Sequence, residues 1–274
     1  TDYVRGSYAA YKPNPNWWDK EKIVDGKKYD APFIDELVYP IIIDQSTQIA
    51  ALQTGKVDAI FRVPMMYKDT LAITNPDLLV GTMPAGITNT IWWKATGVIG
   101  SDRVLRRAMM IGTDLRSIIK AVYVEADLQC WPYNASFDTS IYTPLEDLPP
   151  SAKELYTYDP VKAAKMIVDA GHPDGIEITL DFNAIDPPSK DIAAILQAQW
   201  GEIGVDVTLI PSPDAVHRSM VQVSGDYEDA LLSGYGNCGG LTHLDNMRAL
   251  TWSPYYADEY VNGILEAAAN EMDQ

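Results

Sequence analysis

The chain has 274 residues, 47% of them hydrophobic and 22% charged, and a formal net charge of −17. That length exceeds one typical domain and can bury roughly three quarters of its extended surface. The charge argues against a nucleic-acid or anionic-lipid surface, and no run of about 18 apolar residues is present to span a membrane. The acidity is uneven: residues 201–274 hold two basic groups, Arg218 and Arg248, against twelve acidic ones.

Residues 1–97 read mainly as strands and turns. No basic segment followed by an apolar one opens the chain, so no secretion signal is expected within it; Thr1-Asp2-Tyr3 leads straight into a strand pattern, as in a fragment. Leu37, Tyr39, Ile41 and Ile43 alternate with Val38, Pro40 and Ile42, a nearly continuous apolar run expected of a buried strand. Thr47 to Leu52 suggests a short helix ended by Gly55. Val57 to Phe61 and Ile87 to Lys94 suggest two further strands. The second carries Trp92 and Trp93, and adjacent strand residues face opposite sides, so one can pack inward while the other reaches a ligand.

From Ser101 the pattern turns to alternating helix and strand, which places a domain boundary between residues 97 and 98. Ser101 is expected to cap a helix through Ala108, and Asp114 one through Val122. Residues 129–157 are rich in Pro, Tyr and Ser without a period, and loops of that length inside a domain are often functional. Trp131 and Tyr133 within it could stack on a planar or sugar ring, or anchor the loop.

The clearest stretch is residues 158–182. Asp159 can cap a helix whose first turn accepts Pro160, and Ala163, Ala164, Ile167 and Val168 form its apolar stripe. Gly171 ends it, Pro173-Asp174-Gly175 turns the chain, and from Ile176 the period switches to two. Strand 176–182, helix 189–203 and strand 205–210 make a βαβ unit, so the two strands should be parallel. A helix over 214–223, with Asp214 as its cap, a strand over 227–233 and a last helix over 258–272 complete the pattern. Tyr235-Gly236-Asn237 then falls at the carboxyl end of a strand, where α/β sheets present ligand sites.

Other chemistry is sparse. His172, His217 and His243 have no metal-ligand spacing, and there is no HExxH, GxSxG, Walker loop or GxGxxG after a strand. Cys130 and Cys238 fit neither a disulfide framework nor a zinc site. No metal and no cofactor are expected.

Five motifs in order carry a resemblance. Gly6-Ser7-Tyr8 with Asn14-Pro15-Asn16-Trp17-Trp18 comes first, then Pro32-Phe33-Ile34-Asp35-Glu36 with Ala50-Ala51-Leu52-Gln53-Thr54-Gly55-Lys56-Val57-Asp58. Val104-Leu105-Arg106-Arg107-Ala108 with Asp114 follows, then Tyr158-Asp159-Pro160 through Gly175, then Gly225-Asp226-Tyr227-Glu228-Asp229-Ala230. Together they resemble the family 5 extracytoplasmic solute-binding proteins, the peptide- and nickel-type receptors of ABC importers, from about Gly6 to Asp273.

The resemblance implies an α/β fold of the two-lobed periplasmic-binding-protein type with a closing cleft. Residues 1–97 would be a segment of lobe I and residues 98–274 most of lobe II, with sequence missing at both ends. It implies a non-enzymatic, monomeric receptor outside the cytoplasm, periplasmic or lipid-anchored. Such a receptor binds a peptide-like, oligosaccharide or other polar solute by hinge closure and hands it to the membrane permease. Candidate ligand residues are Trp92, Trp93, Trp131, Tyr133, Tyr235 and Asn237. Peptide-binding relatives commonly carry Trp and Asp where this chain has Gly234 and Asn237. Asn cannot neutralise a peptide ammonium, which points to a neutral, polar or bulkier ligand. Trp17, Trp18 and Trp200 are expected to be structural, and Cys130 could pair with Cys238 in an oxidising compartment. A hydrolase built on paired carboxylates, and a sensory or scaffold module without transport, remain as rival readings.

Overall fold

A computed structural model describes residues 1–61, 63–81, 87–123, 126, 128, 142–221, 225–236 and 259–270. Its backbone divides into two units, Thr1–Val80 and Gly81–Gln274.

The first unit opens with strands β1 (Asp2–Val4), β2 (Tyr8–Tyr11), β3 (Glu21–Val24), β4 (Lys27–Asp30) and β5 (Leu37–Pro40). β1, β2 and β5 form an antiparallel sheet, and β3 and β4 a separate hairpin. The hairpin turns at Asp25-Gly26, both with positive φ, the backbone of a two-residue turn matched to strand twist. Helix α1 (Gln45–Gln53) is capped by Asp44, which accepts from the Thr47 amide. Bonds from Ser46 and Thr47 hold that carboxyl down at about 2. Helix α2 (Lys68–Thr74) packs Leu71 against Ile49 and Leu52 of α1.

Three expectations for this unit need correction. The run from Leu37 to Ile43 forms a strand only as far as Pro40, and it is not buried: Tyr39 is 52% exposed. No β5 residue joins a buried apolar cluster, so its apolar side chains lack cover among the described residues. No strand forms over residues 57–61; Val57 and Ile60 turn onto the α1–α2 cluster instead. Trp17 and Trp18, expected to be packed, stack on each other with centroids 5.9 Å apart, and Trp18 is 81% exposed.

The second unit contains β6 (Ile87–Trp93), α3 (Val98–Ser101), α4 (Arg103–Ile111), α5 (Leu115–Val122), α6 (Pro150–Lys153) and α7 (Pro160–Asp169). β7 (Ile176–Asn183), α8 (Pro187–Glu202), β8 (Val205–Ser212), α9 (Asp214–Ser219), β9 (Ala230–Gly236) and α10 (Glu259–Ala269) follow. The sheet order is β6-β9-β7-β8. β7 is parallel to both β8 and β9, as the βαβ reading required for β8, while β6 is antiparallel to β9. The expected boundary at 97/98 therefore cuts differently from the units' division at 80/81, because β6 pairs along its whole length with β9.

Alternation along the strands gives the sheet one strongly apolar face. Ile178, Leu180, Phe182, Val205, Val207 and Leu232 pack on Leu105, Ala108, Ile111, Ile167, Ile192 and Leu196 from the helices. Trp200 is buried among them, and its indole N–H donates to Thr113 Oγ1 at 2.9 Å. Asp159 and Asp114 cap α7 and α5 as their sequence positions suggest. α4 is capped by Asp102, through the Val104 and Leu105 amides, rather than by Ser101, which ends α3. Gly175 has φ +92°, and a Cβ there would lie 2.6 Å from Gly204 O, the acceptor of the Ile176 amide. No other residue type fits that turn without displacing β7 from β8.

β9 begins three residues later than its sequence pattern suggests. The preceding segment acts as a clamp instead. Lys94 Nζ donates to Gly225 O at 2.7 Å and lies over the Tyr227 ring. Asp229 Oδ2 accepts from the Thr179 amide and hydroxyl at 2.8 and 3.2 Å. The carboxylate stands where a neighbouring strand's carbonyl would bond β7.

Candidate functional site at the carboxyl edge of the sheet

Because β7, β8 and β9 are parallel, Asn183, Ser212 and Gly236 all end at one edge. β9 pairs with β7 only through Ala230–Leu232, opposite Leu180–Phe182. Residues 234–236, joined to 87–89 of β6, thus run past the end of β7. Three strand residues reach about 10 Å. The result is a two-stranded ledge above the ends of β7 and β8.

Neutral polar side chains gather at this edge. Asn89 is exposed and sits directly opposite Gly234, which offers no side chain. The Asn89 amide donates to the Tyr123 hydroxyl, and Tyr123, just past α5, is half-buried against the main core. Burial pushes the Tyr123 phenol up, the Asn89 bond works against this, and the Asp186 carboxylate adds to it. Asp186 itself caps α8, accepting from the Ser189 amide and hydroxyl. On the next strand end, Asn183 Nδ2 donates to Asp214 Oδ1 at 2.9 Å, while Arg218 Nε donates to Asp214 Oδ2 at 2.8 Å. The Asn183 bond first, then Arg218, hold the Asp214 carboxyl below the usual carboxylate range.

A buried polar layer lies under this rim. Asp181 is 4% exposed and accepts from Ser212 Oγ at 3.0 Å. Burial raises its carboxyl above the usual range, against the Ser212 bond and the nearby His217. His217 Nε2 lies 3.0 Å from Leu232 O. A carbonyl oxygen only accepts, so that nitrogen carries the proton. The bond ties α9, and with it Asp214 and Arg218, to the sheet.

Of the expected site residues that are described, the two tryptophans lie apart from Tyr235. Trp92 is 7% exposed and packs with Tyr227 and Leu231. Trp93 packs on Trp200, centroids 5.5 Å apart. Trp92 is thus a core side chain of the second unit, and Trp93 is a half-buried one packed against its main core. The antiparallel register explains the separation: Trp93 lies opposite Ala230, whereas Tyr235 lies opposite Thr88. Four residues for Trp92 and five for Trp93 put the tryptophans about 13 and about 17 Å from Tyr235 along the ribbon. Tyr235 is in the ledge, as the penultimate residue of β9 rather than beyond it. Asn237, Trp131, Tyr133, Cys130 and Cys238 lie outside the described residues.

Asp214 differs from its expected role. The cap position of α9 is Pro213, and the Asp214 carboxylate binds Asn183 and Arg218 instead. Asn89, Tyr123 and Asn183 are further polar candidates that the edge presents. Asn183 could have been found as the polar residue ending a strand of a βαβ unit. Asn89 and Tyr123 are 34 residues apart and meet only through the sheet register, which no local pattern announces. Among the described residues, no group of three His, Cys, Asp or Glu is placed to hold a metal ion. None of the described helices is long and apolar enough to cross a membrane.

Residues 1–243 match the profile of the bacterial extracellular solute-binding proteins, family 5, middle part. The chain belongs to this family. It is similar to heme-binding protein A of Haemophilus influenzae, with 28% identity over 74% of this chain and 35% of that protein. With glutathione-binding protein GsiB of Salmonella typhimurium it shares 22% identity over 93% of this chain and 52% of the relative. Among solved structures, the binding protein AgaA from A. tumefaciens, in complex with agropinic acid, matches all of this chain and 54% of its own, with TM-score 0.78 and 20% identity. AppA of Bacillus subtilis, in complex with a nonapeptide, gives TM-score 0.71 over the same shares. The fold is therefore α/β of the periplasmic-binding-protein type, as the sequence suggested. This family 5 chain spans about half the length, or less, of the relatives it matches.

Proposed function

We propose that the protein is the solute receptor of an ABC importer, working outside the cytoplasm and without enzymatic chemistry, and that it takes a polar solute without a net positive group at the carboxyl edge of the four-stranded sheet. The observation that carries this reading is the charge balance of the edge. Its cation and carboxylate, Arg218 and Asp214, are bonded to each other, and Asp186 is engaged as a helix cap. Among the described residues, what is left to meet a solute there is uncharged apart from that capped Asp186: Asn89, Tyr123, Asn183 and the ledge backbone. An ammonium brought into such a place would lose its hydration without gaining a free carboxylate.

Membership of the family supports the receptor reading, and the departures at Gly234 and Asn237 support the neutral ligand. Tyr235, Asn237, Trp131 and Tyr133 would complete the lining, and Trp92 and Trp93 would support it from the core. Closure over the solute, recognition of the closed form by the permease subunits and action as a monomer follow from the same reading.

The test is a melting-temperature series on the full-length protein with neutral oligosaccharides, capped peptides, free-amino peptides, glutathione and haem. A ligand of the native state raises stability by mass action. At 100 times Kd the gain is about 2.7 kcal/mol. A shift with neutral compounds is expected. No shift with any of them would remove the receptor reading, and a shift confined to free-amino peptides would remove the neutral-ligand part of it.

A further inference from the structure

We infer that Asn89 and Tyr123 form the specificity element of this edge, reading an uncharged group that both donates and accepts a hydrogen bond, such as a carboxamide or a sugar hydroxyl. The inference rests on the receptor reading above and names the residues and the solute group behind it.

The argument begins with position. Asn89 stands on the part of β6 that outruns β7, and its partner across the ladder is Gly234. On paired strands, directly opposite residues project to the same face about 5 Å apart. Gly234 therefore places no side chain beside Asn89 across the ladder, where the Asn89 amide is exposed. Tyr123 approaches the same point from the end of α5, its ring packed against the main core. A polar group on a rigid, packed stem is what orientation of a ligand requires.

Hydrogen-bond inventory then decides the chemistry. An Asn side chain offers two donors and a carbonyl oxygen, and a phenol one donor and its oxygen. Asn89 uses one N–H to reach Tyr123 Oη. That leaves Asn89 Oδ1 as an acceptor and the Tyr123 O–H as a donor, side by side. The phenol stays protonated, since burial and Asp186 both push it up from its ordinary value. An acceptor beside a neutral donor complements a carboxamide or a hydroxyl and gives neither an ammonium nor a carboxylate its counter-charge. Asp186, the carboxylate acting on Tyr123, is bonded twice to Ser189.

The experiment uses the full-length protein with three probes: N-acetyl-trialanine amide, maltotriose and free trialanine. Affinities come from titration calorimetry, and folding is checked by the melting temperature without probe. Asn89→Ala removes an exposed side chain, and Tyr123→Phe keeps the packed ring, so both should melt with the parent. Loss of one net hydrogen bond corresponds to about tenfold in Kd. The expected result is binding of at least one uncharged probe, weakened about tenfold by each substitution. Asn89→Asp should move preference toward trialanine. Which uncharged probe binds separates an amide source from a sugar source. Unchanged affinity for the uncharged probe in both folded variants overturns the assignment and leaves the receptor reading standing. Binding of trialanine alone does the same. Binding of no probe by the parent overturns the assignment, and the receptor reading then stands or falls on the wider melting series.

Discussion

Asp181 is the buried carboxylate among the described residues of the second unit, beneath the rim with one bond from Ser212. Burial raises its folded pKa above the unfolded value. Between those two values the native state holds a proton that the unfolded chain has released, so stability falls as pH rises through the interval and stays lower above it. Acidification restores it. Asn at this position keeps an oxygen for Ser212 and removes the charge. Asp181→Asn should therefore melt higher than the parent at neutral pH, with the advantage shrinking as pH falls toward the ordinary carboxylate value of about 3.9. A pH-independent difference between the two melting curves would count against burial as the cause.

Among the elements, the start of β9 shows where sequence reading succeeds and where it stops. The caps at Asp159 and Asp114 were legible because a cap and its amide lie three residues apart. The parallel pairing of β7 and β8 was legible because a helix of that length between strands leaves little choice. The strand expected over 227–233 was displaced because the residues before Ala230 also alternate, with Tyr227 buried and Glu228 exposed. Their true engagement is with Lys94 and Thr179, 131 and 50 residues away for the clamping bonds. The candidate site was legible in part for the same reason. Tyr235 was marked by a strand end, while Asn89 and Tyr123 depended on register. Asp229→Ala would leave the Thr179 amide without its acceptor, a loss of about 1–3 kcal/mol. In urea the midpoint should drop while the slope stays constant. An unchanged midpoint would mean that water replaces the carboxylate at no cost.

The molecule as a whole is unevenly supplied with core. Within residues 1–80 the buried apolar residues are Ala10, Ile49, Ala51, Leu52 and Leu71, while Trp18, Ile23, Phe33, Ile43 and Phe61 are exposed. The second unit holds a continuous core between sheet and helices. Apolar surface on that scale wants a covering layer. Residues 87–236 produced alone should unfold in one cooperative transition. Residues 1–80 produced alone should bind a hydrophobic dye such as ANS and melt broadly. A sharp melt with no dye binding for residues 1–80 would show that the exposed faces need no cover.

The pairing of β6 with β9 also bears on how this protein can change. Ile87 and Gly236 are partners across the ladder, which puts their Cα atoms about 5 Å apart. The polypeptide thus enters and leaves this sheet at neighbouring points, and the stretch between behaves as an insertion with a single doorway. Evolution, or an engineer, can exchange that stretch for another of the same frame with two adjacent cuts. Such an exchange replaces Asn89, Tyr123, Asn183 and Asp214 together, so the proposed recognition edge can be inherited as one cassette.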